Sequence, residues 1–194
     1  MEERGEPYWP MADMVATIAY AHGSSSLGDF LVAANAKGLC AVFFGEYQAE
    51  LLSELSDANP GTAVQVAEPV LHHFLIGIMA GVIERPAALA IVPTCPELSP
   101  LQLQVRAILA STTPGTTVTP EEVAGKVPGR SPGAESVREL AAADRLAVIA
   151  PFHRLQERDG SSPAYRWGEA RRRTLLARET AVEVWRARTI CGDG

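Results

Sequence analysis

The chain has 194 residues, which is enough for one domain or two small domains with a buried core. Apolar residues make up 47% and charged residues 21% of it, so the composition excludes a disordered or collagen-like chain. The longest strongly apolar stretch, residues 74–83, has about half of the roughly 20 residues that a membrane span needs. Residues 1–6 are acidic, unlike a secretory signal, and we therefore expect a cytoplasmic protein without membrane contact.

The two halves of the chain differ in charge. Residues 1–97 hold 3 Lys or Arg against 12 Asp or Glu, whereas residues 98–194 hold 14 against 11. This difference makes the second half the better match for a polyanion. The alternative is that the two halves have differently solvated surfaces.

The cysteines and histidines do not indicate a metal site. Cys40, Cys95 and Cys191 are widely spaced and include no C-x-x-C pair, so neither a disulfide framework nor a thiolate zinc site is indicated. His72 and His73 are adjacent and cannot share one face of a helix. We expect reduced thiols, no metal and no cofactor.

The first half predicts a small antiparallel sheet with helices. Strands that pair as a meander are predicted over residues 15–21, 27–34 and 39–44, with turns at residues 23–26 and 35–38. Apolar residues at helical spacing then predict helices over residues 46–55 and 69–83. The apolar run 87–92 fits either a short strand or an extended linker.

The second half predicts a helical domain. Helices are predicted over residues 100–110, 120–126, 134–144 and 169–188, and a short strand over residues 146–150. Ser99 and Thr119 each precede a proline and are typical caps for the first two helices. The second and third helices, joined by a glycine-containing turn, predict a helix-turn-helix.

These elements predict an α+β protein with two domains. We expect a sheet domain over residues 14–92 and a helical domain over residues 99–188, joined by a linker over residues 93–98. We also expect a flexible tail over residues 1–13 and a second tail over residues 189–194.

Four motifs follow one another in a distinctive order: residues 38–42 (GLCAV), 113–118 (TPGTTV), 143–155 (ADRLAVIAPFHRL) and 159–168 (DGSSPAYRWG). In this order they resemble the O6-alkylguanine-DNA alkyltransferases, especially the C-terminal half of the bacterial adaptive-response protein. The resemblance implies a ribonuclease-H-like N-terminal domain. It also implies a C-terminal domain with a winged helix-turn-helix-like DNA-binding fold, which enters the minor groove and flips out the damaged base.

The family's reactive motif, Pro-Cys-His-Arg, reads Pro151-Phe152-His153-Arg154 in this chain. The family's cysteine thiolate accepts the alkyl group, whereas a benzyl side chain has no lone pair with which to attack carbon. We therefore expect no alkyl transfer by the family mechanism. The family's hinge asparagine and pocket serine-glycine are also replaced. The residues expected around the base pocket are Phe152, Pro151, Asp144, Pro163, Ala164 and Tyr165.

The resemblance also assigns DNA contacts, and several are altered. The family's phosphate-contacting tyrosine aligns with Pro120, and the arginine that replaces the flipped base aligns with Glu135, which phosphates repel. The preceding turn has one inserted residue, which can shift the alignment by a residue or two, so Arg130 or Arg138 could partly compensate. Arg172, in a basic run, is a further candidate phosphate contact, although a solvated helix face is the more common meaning of such a run.

His153 and Glu179 stand at the family's histidine and glutamate, which hold a water molecule that deprotonates the cysteine. A carboxylate that orients an imidazole is a general-base arrangement. The alternative is a hydrogen bond that only ties the loop to the last helix. Arg154 and Arg166 are expected to satisfy loop carbonyls.

Three functions are open from the sequence. The first is binding of double-stranded DNA with alkylated guanine, without transfer. The second is a small-molecule enzyme in which His153 and Glu179 activate water in the former base pocket. The third is a non-catalytic protein-interaction or regulatory role. The altered DNA contacts favour the last two, whereas the fold and the basic C-terminal half favour the first, which is the leading prediction. No oligomeric state is predicted.

Overall fold

The computed structural model describes residues 17–86, 93, 94, 98–129, 131–161 and 165–191. Its first half is built on a four-stranded sheet. Strands β1 (Thr17–Ser25), β2 (Gly28–Asn35) and β3 (Gly38–Phe44) pair antiparallel in succession, which confirms the predicted meander. A further strand, β4 (Ala63–Val66), pairs parallel to β1, so the sheet has the order β3-β2-β1-β4 and is mixed.

Two details of the sheet differ from the prediction. The hairpin turn expected at residues 23–26 lies instead at residues 26–27, because β1 continues through Ser25 and pairs with β2 as far as Gly28. The Ser24 hydroxyl donates to Asp29 across the hairpin (2.5 Å). β4 was missed because it has four residues, of which only Val64 is partly buried. So short and exposed a segment shows no alternating pattern.

Two helices pack against the sheet. They are α1 (Gln48–Asp57) and α2 (Pro69–Glu84), both close to their predicted bounds. α2 begins with proline, which suits the first helical position, and buries Leu71, Leu75 and Met79 at helical spacing. These side chains join the fully buried interior of β2 and β3 in the core of the first domain.

The second half is helical, as predicted. Its helices are α3 (Pro100–Ser111), α4 (Pro120–Lys126), α5 (Ala134–Ala142) and α6 (Glu169–Cys191). α4 and α5 contact each other and form the predicted helix-turn-helix pair.

Reciprocal capping explains why α3 and α4 begin at the predicted residues. The Ser99 hydroxyl accepts from Gln102 N–H while the Gln102 side chain accepts from Ser99 N–H. Thr119 and Glu122 make the same pair of bonds at the start of α4. Each box satisfies two N–H groups that a helix start otherwise leaves without partners.

The strand predicted over residues 146–150 was wrong. Leu146 makes one parallel bridge to Val42, after which Ala150 N–H donates to the Leu146 carbonyl (2.9 Å) and turns the chain. Val148 has a φ of 68°, which is rare for a β-branched residue. α5 also ends two residues earlier than predicted, so Asp144 lies in the turn after it.

The last helix connects the two domains. Arg171 Nε donates to the Leu27 carbonyl (2.7 Å), and Arg178 donates to the Ile83 carbonyl at the end of α2 (2.7 Å). These contacts fix α6 against the sheet domain. Among the described residues, no helix combines the length and apolar content needed to cross a membrane.

Several predicted features lie outside the described residues: the tail over residues 1–13, the segment 87–92 and Cys95. The predicted linker begins as an extension of the sheet edge, because Leu39 N–H donates to the Pro93 carbonyl (2.9 Å). The second tail was expected from residue 189, whereas α6 continues to Cys191.

Gly115 tests how closely the loop after α3 approaches α6. Its φ is 78°, and a Cβ there would lie 2.7 Å from the backbone nitrogen of Thr180. We predict that Gly115→Ala lowers the free energy of unfolding by about 3 kcal/mol, because the left-handed conformation costs about 1 to 2 kcal/mol and the clash adds to it. Chemical denaturation measures this loss.

The matched control is Gly61→Ala, because Gly61 has the same φ and nothing lies within 4 Å of the added atom. It should cost only about 1 kcal/mol. Equal losses in the two variants would contradict the close approach of the loop to α6.

Candidate functional site

The turn that carries the reactive-motif residues is enclosed by helices. Phe152, His153 and Arg154 form a short 3-10 helix that contacts α3 and α6. Their exposed fractions are 4%, 0% and 3%, and Pro151 before them is also buried. All the residues of the motif therefore lie in the interior of the protein.

A single carboxylate organises this turn. Glu179 of α6 is fully buried, and its Oε1 accepts a hydrogen bond from His153 Nε2 (2.9 Å). Arg154 donates Nη2 to Oε1 (2.9 Å) and Nε to Oε2 (3.1 Å), a two-pronged pairing that suits a guanidinium and a carboxylate. Gly115 N–H donates to Oε2 (2.8 Å). Both oxygens of Glu179 are thus held by fixed donors.

Arg154 extends this network to the end of α3. Its Nη1 donates to the carbonyls of Leu109 (2.9 Å) and Thr112 (2.8 Å). Carbonyls at the C-terminal end of a helix have no partner within the helix. Arg154 therefore joins three segments: the end of α3, the motif turn and α6.

The network sets the protonation of its members. Burial alone would raise the pKa of Glu179, but the hydrogen bonds from His153 and Arg154 outweigh it and lower the pKa to about 2. Burial lowers the pKa of His153, and this effect exceeds the opposing influence of Glu179. The pair is therefore a carboxylate and a neutral imidazole whose Nε2 carries the proton, because a carboxylate can only accept.

Two buried polar atoms near the motif have no hydrogen-bond partner within the described part of the chain. They are His153 Nδ1 and the Tyr165 hydroxyl, whose rings meet edge-on with centroids 6.4 Å apart. In the neutral imidazole described above, Nδ1 is an acceptor, whereas the phenol is a donor. Buried groups of this kind usually have a partner, so this region is suited to a water molecule or another polar group.

The chemistry open to His153 is proton acceptance at Nδ1. Its side chain is fully buried, so a small-molecule substrate reaches Nδ1 only if the surrounding segments move. In the structure as it stands, the His153–Glu179 bond ties the motif turn to α6.

A pocket of about 260 Å³ lies between α3 and the end of α5. Phe152 and Asp144, both predicted around the base pocket, line it. Tyr165 is buried beside His153, whereas Pro163 and Ala164 lie outside the described residues.

The sequence analysis missed the other residues that line this pocket, among them Gln102 and Arg106 of α3. Arg106 Nη2 donates to Asp144 Oδ1 (2.5 Å), and Asp144 Oδ2 accepts from Leu146 N–H (3.1 Å). Burial raises the pKa of Asp144, and Arg106 opposes this rise. No local pattern in the sequence signals this pair, because 38 positions separate its two members.

The predicted DNA contacts on α5 carry opposing charges. The Glu135 side chain is 77% exposed in the first turn of the helix. Arg138, one turn later, pairs with Glu157 (2.6 Å) and Glu121 (2.8 Å) and weakly with Glu135. Carboxylates therefore already surround the cation that could compensate for Glu135.

Two other predicted contacts are buried. Pro120 is the buried first residue of α4, and Arg172 is 4% exposed. Arg172 Nη1 donates to the carbonyls of His153 and Leu155 (both 3.3 Å), so its prediction as a phosphate contact was wrong. Arg172 instead holds the motif turn from α6. Arg130 lies outside the described residues.

The sequence of this chain matches models of a known protein family. Residues 100–181 match the sequence model of the DNA binding domain of 6-O-methylguanine DNA methyltransferase, and residues 18–70 match that of its ribonuclease-like domain. The chain belongs to this family. The resemblance deduced from the motifs is thereby confirmed.

One relative in the methyltransferase family is the Escherichia coli (strain K12) protein described as bifunctional transcriptional activator/DNA repair enzyme Ada. It is 31% identical over 166 residues, which are 86% of this chain and 46% of that protein. The chain spans about half the length of the curated relatives it matches.

Solved structures of the methyltransferase family share the fold. The O6-methylguanine methyltransferase of Mycobacterium tuberculosis aligns with a TM-score of 0.62 at 19% identity, over 85% of this chain and 94% of that one. The OGT of the same organism, in complex with DNA, aligns with a TM-score of 0.63 at 18% identity, over 84% and 93%. These alignments confirm the predicted α+β fold.

The burial of His153 gives a testable pH dependence. The pKa of this imidazole is lowered from 6.5 in the folded protein, so below about pH 6.5 the unfolded chain binds a proton that the folded protein does not. This site therefore makes the free energy of unfolding fall as the pH decreases through that range.

We predict that nitrogen NMR shows His153 as the neutral Nε2–H tautomer at about pH 6.5. An imidazolium spectrum at that pH would contradict the assignment.

Proposed function

We propose that this methyltransferase-family chain binds double-stranded DNA carrying an alkylated guanine and does not accept the alkyl group. The observation that carries the proposal is at Phe152, which the resemblance puts at the acceptor position. A benzyl group offers no nucleophile there. Phe152 is followed by His153 and Arg154, whose side chains both donate hydrogen bonds to Glu179. The chain therefore retains the polar surroundings of the reactive position but lacks the thiol.

Three observations support DNA as the partner. Residues 100–181 match the DNA binding domain of the family. α4 and α5 form a helix-turn-helix pair, a motif whose second helix commonly enters a groove of DNA. A relative is described as a DNA repair enzyme, and a structural neighbour was solved in complex with DNA.

The charges on α5 predict a weaker phosphate contribution than a basic helix would give. Glu135 is exposed in the first turn, and Arg138 is engaged by three carboxylates. Cations that neutralise phosphates supply most of the salt-dependent affinity for DNA. We therefore expect binding to be detectable mainly at low salt and to depend on recognition of the altered base.

Fluorescence anisotropy with two matched duplexes tests the proposal. One duplex contains a single O6-methylguanine and the other contains guanine at the same position. We predict that the chain binds the methylated duplex more tightly at low salt. Absence of binding to both duplexes under these conditions would contradict the proposal.

The variant Glu135→Arg tests whether the charge at the start of α5 limits the affinity for DNA. It should tighten binding of both duplexes severalfold and increase the salt dependence by about one phosphate contact, because phosphate contacts do not read the base. Glu46→Arg makes the same change of charge at an exposed position of the sheet domain and should leave binding unchanged. Equal effects of the two variants would show that net charge alone drives binding.

Phe152→Cys tests whether residue 152 is all that prevents transfer. Neutral His153 offers an unpartnered acceptor next to this position, and activation of a cysteine nucleophile needs such a base. We predict that mass spectrometry finds one methyl group on the variant after incubation with the methylated duplex, and none on the wild-type chain.

Phe152→Ala is the control, because it removes the ring without supplying a thiol and should stay unmodified. A methyl group on the wild-type chain would overturn the proposal that this chain does not accept the alkyl group. A Phe152→Cys variant that binds the duplex but stays unmodified would show that a second feature also blocks transfer.

A further inference from the structure

The pocket between α3 and the end of α5 is bordered by two arginines with unused donors. Arg106 uses Nη2 on Asp144, and Arg145 uses Nη1 on the Ala58 carbonyl (2.9 Å). In the part of the chain that the structure describes, neither guanidinium makes a further hydrogen bond. Since a guanidinium has five N–H groups, most of the donors at this pocket are available to a ligand.

The charges around the pocket leave a surplus of one positive charge. Asp144 is the one carboxylate among the described lining residues, and both of its oxygens are occupied, one by Arg106 and the other by Leu146 N–H. The pair of Asp144 and Arg106 is neutral, and Arg145, which is exposed, has no carboxylate partner among the described lining residues. This balance suits a ligand with a single negative charge.

The rest of the lining is apolar apart from Gln102. Phe152 and Leu140 contribute an aromatic ring and an aliphatic side chain, and Leu98 adds a second aliphatic side chain. The volume of about 260 Å³ is slightly below the usual range for drug-sized ligands, which begins near about 300 Å³. A ligand with one ring fits this size, and an aromatic ring can stack against Phe152.

We propose that this pocket binds a small aromatic molecule that carries one anionic group. The anion lies between Arg106 and Arg145, and the ring packs against Phe152. Such a ligand does not require His153 or Glu179, neither of which is among the described residues that line the pocket. Phe152 and Asp144, which line this pocket, are also predicted around the base pocket, so the inference adds a second ligand class to a region that overlaps that prediction.

Benzoate and benzyl alcohol are suitable probes, because they share a ring and differ in the negative charge. In a titration of the full chain followed by amide NMR, benzoate is expected to shift the resonances of Gln102, Arg106 and Leu140 in a saturable manner. Benzyl alcohol is expected to bind at least about tenfold more weakly, because it lacks the charged hydrogen bonds. Equal binding of the two probes, or no saturable shift with benzoate, would overturn the proposal.

Two variants assign the binding to the arginines. Arg145→Gln removes the surplus charge without leaving a buried carboxylate alone, and should weaken benzoate binding about tenfold. The double variant Arg106→Gln with Asp144→Asn removes both members of the buried pair together and should have a similar effect. Arg173→Gln, at an exposed position on α6, is the control and should leave binding unchanged. Unaltered binding in Arg145→Gln would overturn the proposed position of the anion.

Discussion

The buried carboxylate of Glu179 is the constraint on which the second domain depends. Its donors come from separate segments: Gly115 from the loop after α3, and His153 and Arg154 from the motif turn. A charge removed from water is costly unless its partners are fixed, and the removal of one partner leaves the others uncompensated. The position of the motif turn is therefore set by electrostatics rather than by apolar packing alone.

This arrangement separates the stability of the turn from the chemistry at residue 152. The hydrogen bonds of the network use His153, Arg154 and Glu179, together with backbone groups, and none uses the side chain of Phe152. A change of side chain at position 152 therefore removes none of these hydrogen bonds. The same separation explains how a chain of this family can keep its fold with an aromatic ring at the position assigned to the acceptor.

Features that depend on local chemistry could be predicted from the sequence. The caps at Ser99 and Thr119 gave correct helix starts, because a cap and the proline after it act within one turn. The run 146–150 was mistaken for a strand, because apolar content alone cannot distinguish a buried turn from a buried strand. The family resemblance brought His153 and Glu179 together across 26 positions, which periodicity could not do.

Errors at the site arose where the direction of a side chain decides the role. Arg172 belongs to a basic run, and only the packing of α6 shows that this guanidinium points toward the motif turn. The pair of Arg106 and Asp144 is separated by 38 positions, so no local pattern indicates it. Arg172 thus proved to be structural, and Arg106 proved to border a pocket.

The contacts of α6 with the sheet domain have a thermodynamic consequence. Arg171 and Arg178 donate to carbonyls of that domain, while Glu179 on the same helix anchors the motif turn. A rigid helix that serves both domains cannot detach from one of them without losing directional bonds to the other. The two domains should therefore melt in one cooperative transition, although the chain between them is rich in proline.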